Sequence, residues 1–141
     1  MKKLITLVCC LLFVLGLAGC GSKEAQVWEW AQGLSQEDLV RVTPRSQEHD
    51  TLPPLNEEYI PELVALLNDL SKDNFTENKK LAGSTPTFGI TIETASEIYH
   101  INEAIGPYGA LEITYHEKLW WIDYAELSDF VQRVALLDPA E

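Results

Sequence analysis

Leu63, Leu66, Leu67 and Leu70 recur at i, i+3, i+4 and i+7 in EEYIPELVALLNDLSK, the stripe of a helix with one buried face. Pro61 falls in its first turn, where a missing N–H is tolerated. A second stripe of Leu127, Phe130, Val131, Val134 and Leu137 predicts a closing helix. Asp123, with Glu126 three residues on, reads as its capping box, and Pro139 lies just past its end. Between the two stripes the period drops to two. Phe88, Ile90 and Ile92 alternate with Thr87, Gly89, Thr91 and Glu93, as in a strand with one buried face. EIYHIN follows a tight turn at Ala95 and Ser96, and IGPYG supplies the next connection through Pro107 and Gly109. Leu111, Ile113 and Tyr115 mark a third strand, which His116, Glu117 and Lys118 turn back into a fourth.

Nearer the start, Val27, Trp30, Ala31 and Leu34 in VWEWAQGL predict a short helix ending near Gly33. LSQEDLVRVTP carries two signals. Ser35 with Asp38 suits a helix cap, whereas Leu39, Val40 and Val42 ahead of Thr43-Pro44 suit a strand, and a strand over about 38–43 is the expectation. Residues 44–56 and the stretch NFTENKKLAGSTP read as loops. The predicted architecture is α+β: an antiparallel sheet of four to five strands with helices packed on one face.

The first twenty residues follow a different rule. Lys2 and Lys3 precede an apolar stretch from Leu4 to Leu17, which is too short for a bilayer span of about 20 residues and suits the hydrophobic region of a signal peptide. Small residues Ala18 and Gly19 then stand before Cys20. Leu17-Ala18-Gly19-Cys20 resembles the lipobox of bacterial lipoproteins. That resemblance implies a diacylglyceryl thioether on Cys20, cleavage before it, and a lipid-anchored chain on the extracytoplasmic face of the cell membrane; two acyl chains make a stable anchor. The expected division is a signal peptide at 1–19, a lipidated tether at 20–26 and a single domain at 27–141. Cys9 and Cys10 leave with the signal, so the mature chain keeps one cysteine and the lipid uses it. No disulfide and no free thiolate follow from that count.

Composition sharpens this picture. Loss of Lys2 and Lys3 leaves 8 Lys+Arg against 22 Asp+Glu, a formal charge of −14. A field of that sign argues against nucleic acid and anionic lipid surfaces as ligands. The order of elements from DLVRV through the leucine-rich helix and short strands to WWIDYAELSDFV is similar to a kind of small extracytoplasmic domain common in lipoproteins of Gram-positive bacteria. The similarity implies the architecture and brings no activity.

Chemical motifs are sparse. There is no G-x-S-x-G, S-x-x-K, G-x-x-x-x-G-K-[ST] or G-x-G-x-x-G. Asp69, Asp73, Asn74 and Glu77 offer oxygen ligands without the spacing of a calcium loop. If Phe88, Ile101 and Ile113 face the helices, period two sends His100, Thr114 and His116 to the opposite sheet face with Glu93 and Glu112. Of Trp120 and Trp121, adjacent on a strand, one must also face away from the helices, and Trp120 is the expected one. The expected function is therefore a non-enzymatic binding domain with no cofactor and no metal. It would contact a protein or envelope component through His100, Thr114, His116 and Trp120. The alternatives are a metal-assisted hydrolase built on His100, His116 and Glu112, and a structural or sensor-accessory envelope protein.

Overall fold

The computed structural model describes residues 26–49, 52–79, 85–105 and 110–137. One sheet holds β1 (Leu39–Ser46), β2 (Phe75–Asn78), β3 (Phe88–Thr94), β4 (Ile98–Glu103), β5 (Leu111–Tyr115) and β6 (Lys118–Ile122). All neighbouring pairs are antiparallel, in the spatial order β1-β3-β4-β5-β6-β2. The run from β3 to β6 is the meander that alternation predicts, and β1 and β2 form its two edges. Helices α1 (Ile60–Asn68) and α2 (Ala125–Ala135) both cover one face. Their stripes supply Leu63 and Leu67, and Leu127, Phe130, Val131 and Val134, to a core shared with Ile90, Ile92, Ile101, Leu111, Ile113 and Ile122. Burying each such side chain contributes about 1.5–3 kcal/mol.

The α+β architecture is as expected, with six strands where four or five are predicted. The additional strand is β2, which runs through a segment that reads as loop. Phe75 and Asn78 are buried while Thr76 and Glu77 between them are exposed, so four residues never complete an alternation. The strand is anchored from outside itself. Asn74 Oδ1 accepts from the N–H of Ser71 at 2.9 Å, its Nδ2 donates to the Asp123 carbonyl at 3.0 Å, and the Asp123 N–H donates to the Asn74 carbonyl at 2.8 Å. This bracket also explains why Asp123 does not cap α2. Its backbone is committed to Asn74, the N-cap is Tyr124, and no side chain caps the helix.

β1 is longer than expected and continues through Pro44 to Ser46. Pro44 removes one N–H from a ladder, which an edge strand tolerates. The loop beyond lies along the strand, with the Leu55 N–H donating to the Val42 carbonyl at 2.8 Å. Upstream, Ser35 and Asp38 do form a cap: the Asp38 carboxylate accepts from the Ser35 N–H at 2.7 Å and hydroxyl at 2.8 Å, and these bonds hold its pKa below the ordinary value. The cap closes a single 3-10 turn, Gln36–Asp38, directly before β1, so both sequence signals are realised in series.

VWEWAQGL forms successive turns instead of the expected helix, held by bonds from Glu29 N–H to the Gln26 carbonyl and from Gln32 N–H to the Glu29 carbonyl. So short a segment gains too few hydrogen bonds to offset helix nucleation. Tertiary contacts place it instead. Val27 and Ala31 enter the core, Gly33 takes φ +76, and Asn68 at the end of α1 accepts from the Gly33 N–H at 2.6 Å while donating to the Leu34 carbonyl at 2.8 Å.

Candidate functional site

Directly paired residues of neighbouring strands share a sheet face, so the register sorts side chains without ambiguity. On the helix side, Val42 pairs Ile92 and Ile92 pairs Tyr99; Ile90 pairs Ile101, Ile101 pairs Ile113, and Ile113 pairs Trp120. Residues 27–34 pack on this side too, where the Trp30 ring stacks on Tyr99 with centroids 4.1 Å apart. Burial there raises the Tyr99 hydroxyl pKa well above the ordinary value, with the neighbouring Glu97 adding to it.

The opposite, outer face is crossed by two parallel lines of side chains. The first runs Arg45, Gly89, Asn102, Glu112, Trp121 and Thr76, one residue from each strand. The second runs Thr43, Thr91, His100, Thr114, Leu119 and Asn78, with His100 and Thr114 continuing the printed register of β4 and β5. Neither helix nor residues 27–34 lie over these lines.

The expected binding residues divide accordingly. His100 and Thr114 are exposed on the outer face, and His100 Nδ1 lies 3.1 Å from the Thr91 hydroxyl. His116 is exposed but stands in the turn between β5 and β6 at φ 47, off the strand, with its ring edge-on to Tyr115 at 4.3 Å. Trp120 belongs to the helix side and packs against the core, so the expectation for it is corrected. The outward indole is Trp121. The phase error has a physical source: the turn at His116 and Glu117 uses two residues with positive φ, and Lys118 pairs Tyr115. That pairing puts Trp120, and not Trp121, in line with Ile113.

Polar bookkeeping on the outer face is incomplete. Among the described residues, Trp121 Nε1 and Asn102 Oδ1 are buried without a hydrogen-bond partner, as are the indole nitrogens of Trp30 and Trp120 on the other side. Glu112 sits between Asn102 and Trp121, and burial raises its carboxyl pKa. An unpartnered buried polar group costs about 1–3 kcal/mol.

At the β1 end the outer face leads into a cleft of about 410 Å³ that wraps the strand edge. Its lining includes Arg41, Thr43, Arg45, His49, Thr85 and Asn102, and no Asp or Glu. A second groove, of about 260 Å³ and more apolar, lies on the helix side between Pro44, Leu55, Tyr59 and Val134. The sequence pattern does not announce the cleft, because Arg45 falls in the stretch 44–56 that reads as loop. The signal was present in RVTPR, where Arg41, Thr43 and Arg45 alternate with buried Val42 and Pro44.

Among the described residues no three His, Cys, Asp or Glu side chains are grouped to hold a metal ion, so His100, His116 and Glu112 do not assemble as the hydrolase alternative requires. Likewise, no described helix is long and apolar enough to cross a membrane. Cys20 and the signal segment lie outside the described residues. Comparison with protein-family models, with curated proteins and with solved structures finds no match for this chain.

Proposed function

We propose that this protein is a lipid-anchored extracytoplasmic lipoprotein whose α+β domain binds a ligand or partner through the outer sheet face and performs no catalysis of its own. The anchor rests on Leu17-Ala18-Gly19-Cys20 following an apolar region behind two lysines. The binding role rests on one observation. The outer face is free of the helices and of residues 27–34, and its first line carries the Trp121 indole beside a desolvated carboxyl, Glu112, with the unpaired Asn102 amide oxygen next in line. Aromatic residues are enriched in recognition surfaces relative to the rest of a protein's exterior.

Two measurements test the two halves separately. Phase partitioning of the expressed chain in a clouding detergent should place it in the detergent-rich phase, and Cys20→Ala should move it to water. For the face, cross-linking on intact cells with wild type and a Trp121→Thr, His100→Ala variant should show captured species lost in the variant. Identical captures would remove the outer face from the function.

A further inference from the structure

The chain is acidic overall, with 22 Asp+Glu against 10 Lys+Arg, yet no Asp or Glu lines the cleft at the β1 end, which collects two of the three arginines of the described residues. Neither Arg41 nor Arg45 makes a hydrogen bond or ion pair among the described residues, where the one ion pair joins Arg133 to Glu62. Glu93, opposite Arg41 across the β1 and β3 ladder, is the nearest acidic group in register and forms no such pair with it. Both guanidinium groups therefore remain available to a ligand.

Arg41, Thr43 and Arg45 project from one face of one strand. Four residues of extended chain separate the two arginines by about 13 Å at the backbone, so their flexible stems can converge on a group held above Thr43 from either side. Asn102 completes the wall. Its Oδ1 lies against Gly89, where an added Cβ would stand 2.6 Å away, so the donor end of the amide, Nδ2, is directed away from Gly89. The hydroxyls of Thr43 and Thr85 have no partner among the described residues. What the cleft offers is thus two guanidinium forks, an amide N–H and hydroxyl donors; the one carboxylate bonded to its lining, Glu103, is taken up by the N–H and hydroxyl of Thr87.

We propose that this cleft is a recognition site for the phosphate group of a phosphate ester, an assignment that rests on the reading of the outer face as a binding surface. A carboxylate has two oxygens, which a single fork satisfies, whereas a phosphate presents three to two forks and the neighbouring donors. The overall negative charge does not prevent this. Charges more than about 8 Å from the site are screened at physiological ionic strength, while the arginines act at contact distance. The same negative field opposes a whole anionic membrane surface, so the geometry favours a soluble phosphate ester over a lipid headgroup.

The test titrates the full chain in uncharged detergent with inorganic phosphate, glycerol 1-phosphate and acetate, read by calorimetry and by backbone NMR shifts. Both phosphates should saturate and shift amides of residues 41–49 and 85–88, and acetate should not. Arg41→Gln and Arg45→Gln should each weaken phosphate binding about tenfold, the loss of one charge-assisted contact. Arg45→Lys, which keeps the charge and loses the fork, should lie between. Both arginines are exposed, so the variants should keep the melting temperature of the wild type. Sedimentation with phosphatidylglycerol and with phosphatidylcholine vesicles separates the sources, because the lipid anchor holds the chain on both: extra retention on phosphatidylglycerol that the same two substitutions abolish would assign the phosphate to a lipid headgroup, and equal retention on both would assign it to a soluble ester. Acetate binding as well as phosphate, or unchanged phosphate affinity in both Gln variants, overturns the proposal. Such a result with partner capture still dependent on Trp121 and His100 would sink the phosphate assignment alone.

Discussion

Gly89 is where the outer face is most tightly constrained, and Gly89→Ala is a direct test of that packing. A Cβ there would stand 2.6 Å from Asn102 Oδ1, 2.7 Å from the Ile101 carbonyl oxygen and 3.2 Å from Asn102 Cα. The amide can rotate away. The Ile101 carbonyl cannot, because Ile101 is fully buried, pairs Ile90 on one side and Ile113 on the other, and is held in the centre of the sheet. Carbon and oxygen in close non-bonded contact sit at about 3.3–3.6 Å, so β3 and β4 would have to part by roughly half an ångström. Overpacking of this kind costs about 1–3 kcal/mol, and the lower unfolded-state entropy of alanine returns up to about 1 kcal/mol. The expected net loss is about 1–2 kcal/mol, or a fall in melting temperature of about 5–8 °C for a domain of this size.

Thermal and urea unfolding followed by tryptophan emission would measure the loss, and a double-mutant cycle with Asn102→Ala would apportion it. Removing the amide relieves one of the three contacts, so Gly89→Ala should cost less in that background while remaining destabilising through Ile101. A coupling of about 0.5 kcal/mol or more is expected between directly touching residues. A Gly89→Ala protein as stable as wild type, or full additivity in the cycle, would refute the argument that Asn102 is seated on the backbone of residue 89.

Phe130→Ala should be the most damaging of the simple truncations, at about 3–5 kcal/mol, because the ring is 1 % exposed at the centre of the α2 stripe; urea unfolding measures it. Asn74→Ala removes the bracket between β2 and the start of α2 and should cost about 1–2 kcal/mol, with amide exchange accelerating first in residues 75–78. Breaking the exposed Arg133 and Glu62 pair with Glu62→Gln should cost at most about 0.5 kcal/mol and lose even that in high salt. Burial raises the Glu112 pKa in the folded state, so the folded chain holds its proton more tightly than the unfolded one. Stability contributed by protonated Glu112 is then present below the unfolded carboxyl pKa and is lost as pH rises through the higher folded value. Glu112→Gln should accordingly melt higher than wild type at pH 7, and the difference should vanish in acid; a variant that melts lower at pH 7 would contradict this.

Much of the fold was legible because it depends on periodicity sustained over many residues. The stripes of α1 and α2 and the alternation from Phe88 to Tyr115 each repeat the same signal several times, and each is realised except at Leu137, which lies past the end of α2 and is 37 % exposed. What failed were segments whose conformation is set by a distant partner. Phe75–Asn78 is a strand because β6 lies beside it and Asn74 is tied to Asp123, neither of which four residues can announce. Residues 27–33 are turns because Asn68 grips Gly33 and Leu34 from the end of α1. The expected capping by Asp123 was a correct reading of local chemistry that lost to a tertiary bond.

The candidate site shows the same division more sharply, because period two fixes which residues alternate but not which phase faces the core. A phase is settled by one anchored pairing. On β4 and β5 the pairing of Ile101 with Ile113 supplies it, and His100 and Thr114 accordingly lie on the outer face as their phase predicts. On β6 the sequence KLWWI offers apolar residues in both phases, and only the pairing of Lys118 with Tyr115 decides for Trp121. On β1 the phase is readable from Val42, yet the sequence pattern predicts a strand only to about residue 43, ahead of Pro44. An edge strand needs N–H donors on one side only, so Pro44 can occupy the buried phase while Arg41, Thr43 and Arg45 continue outward past it. The two arginines on which the phosphate proposal turns are thus brought onto one surface by a residue that ordinarily ends strands.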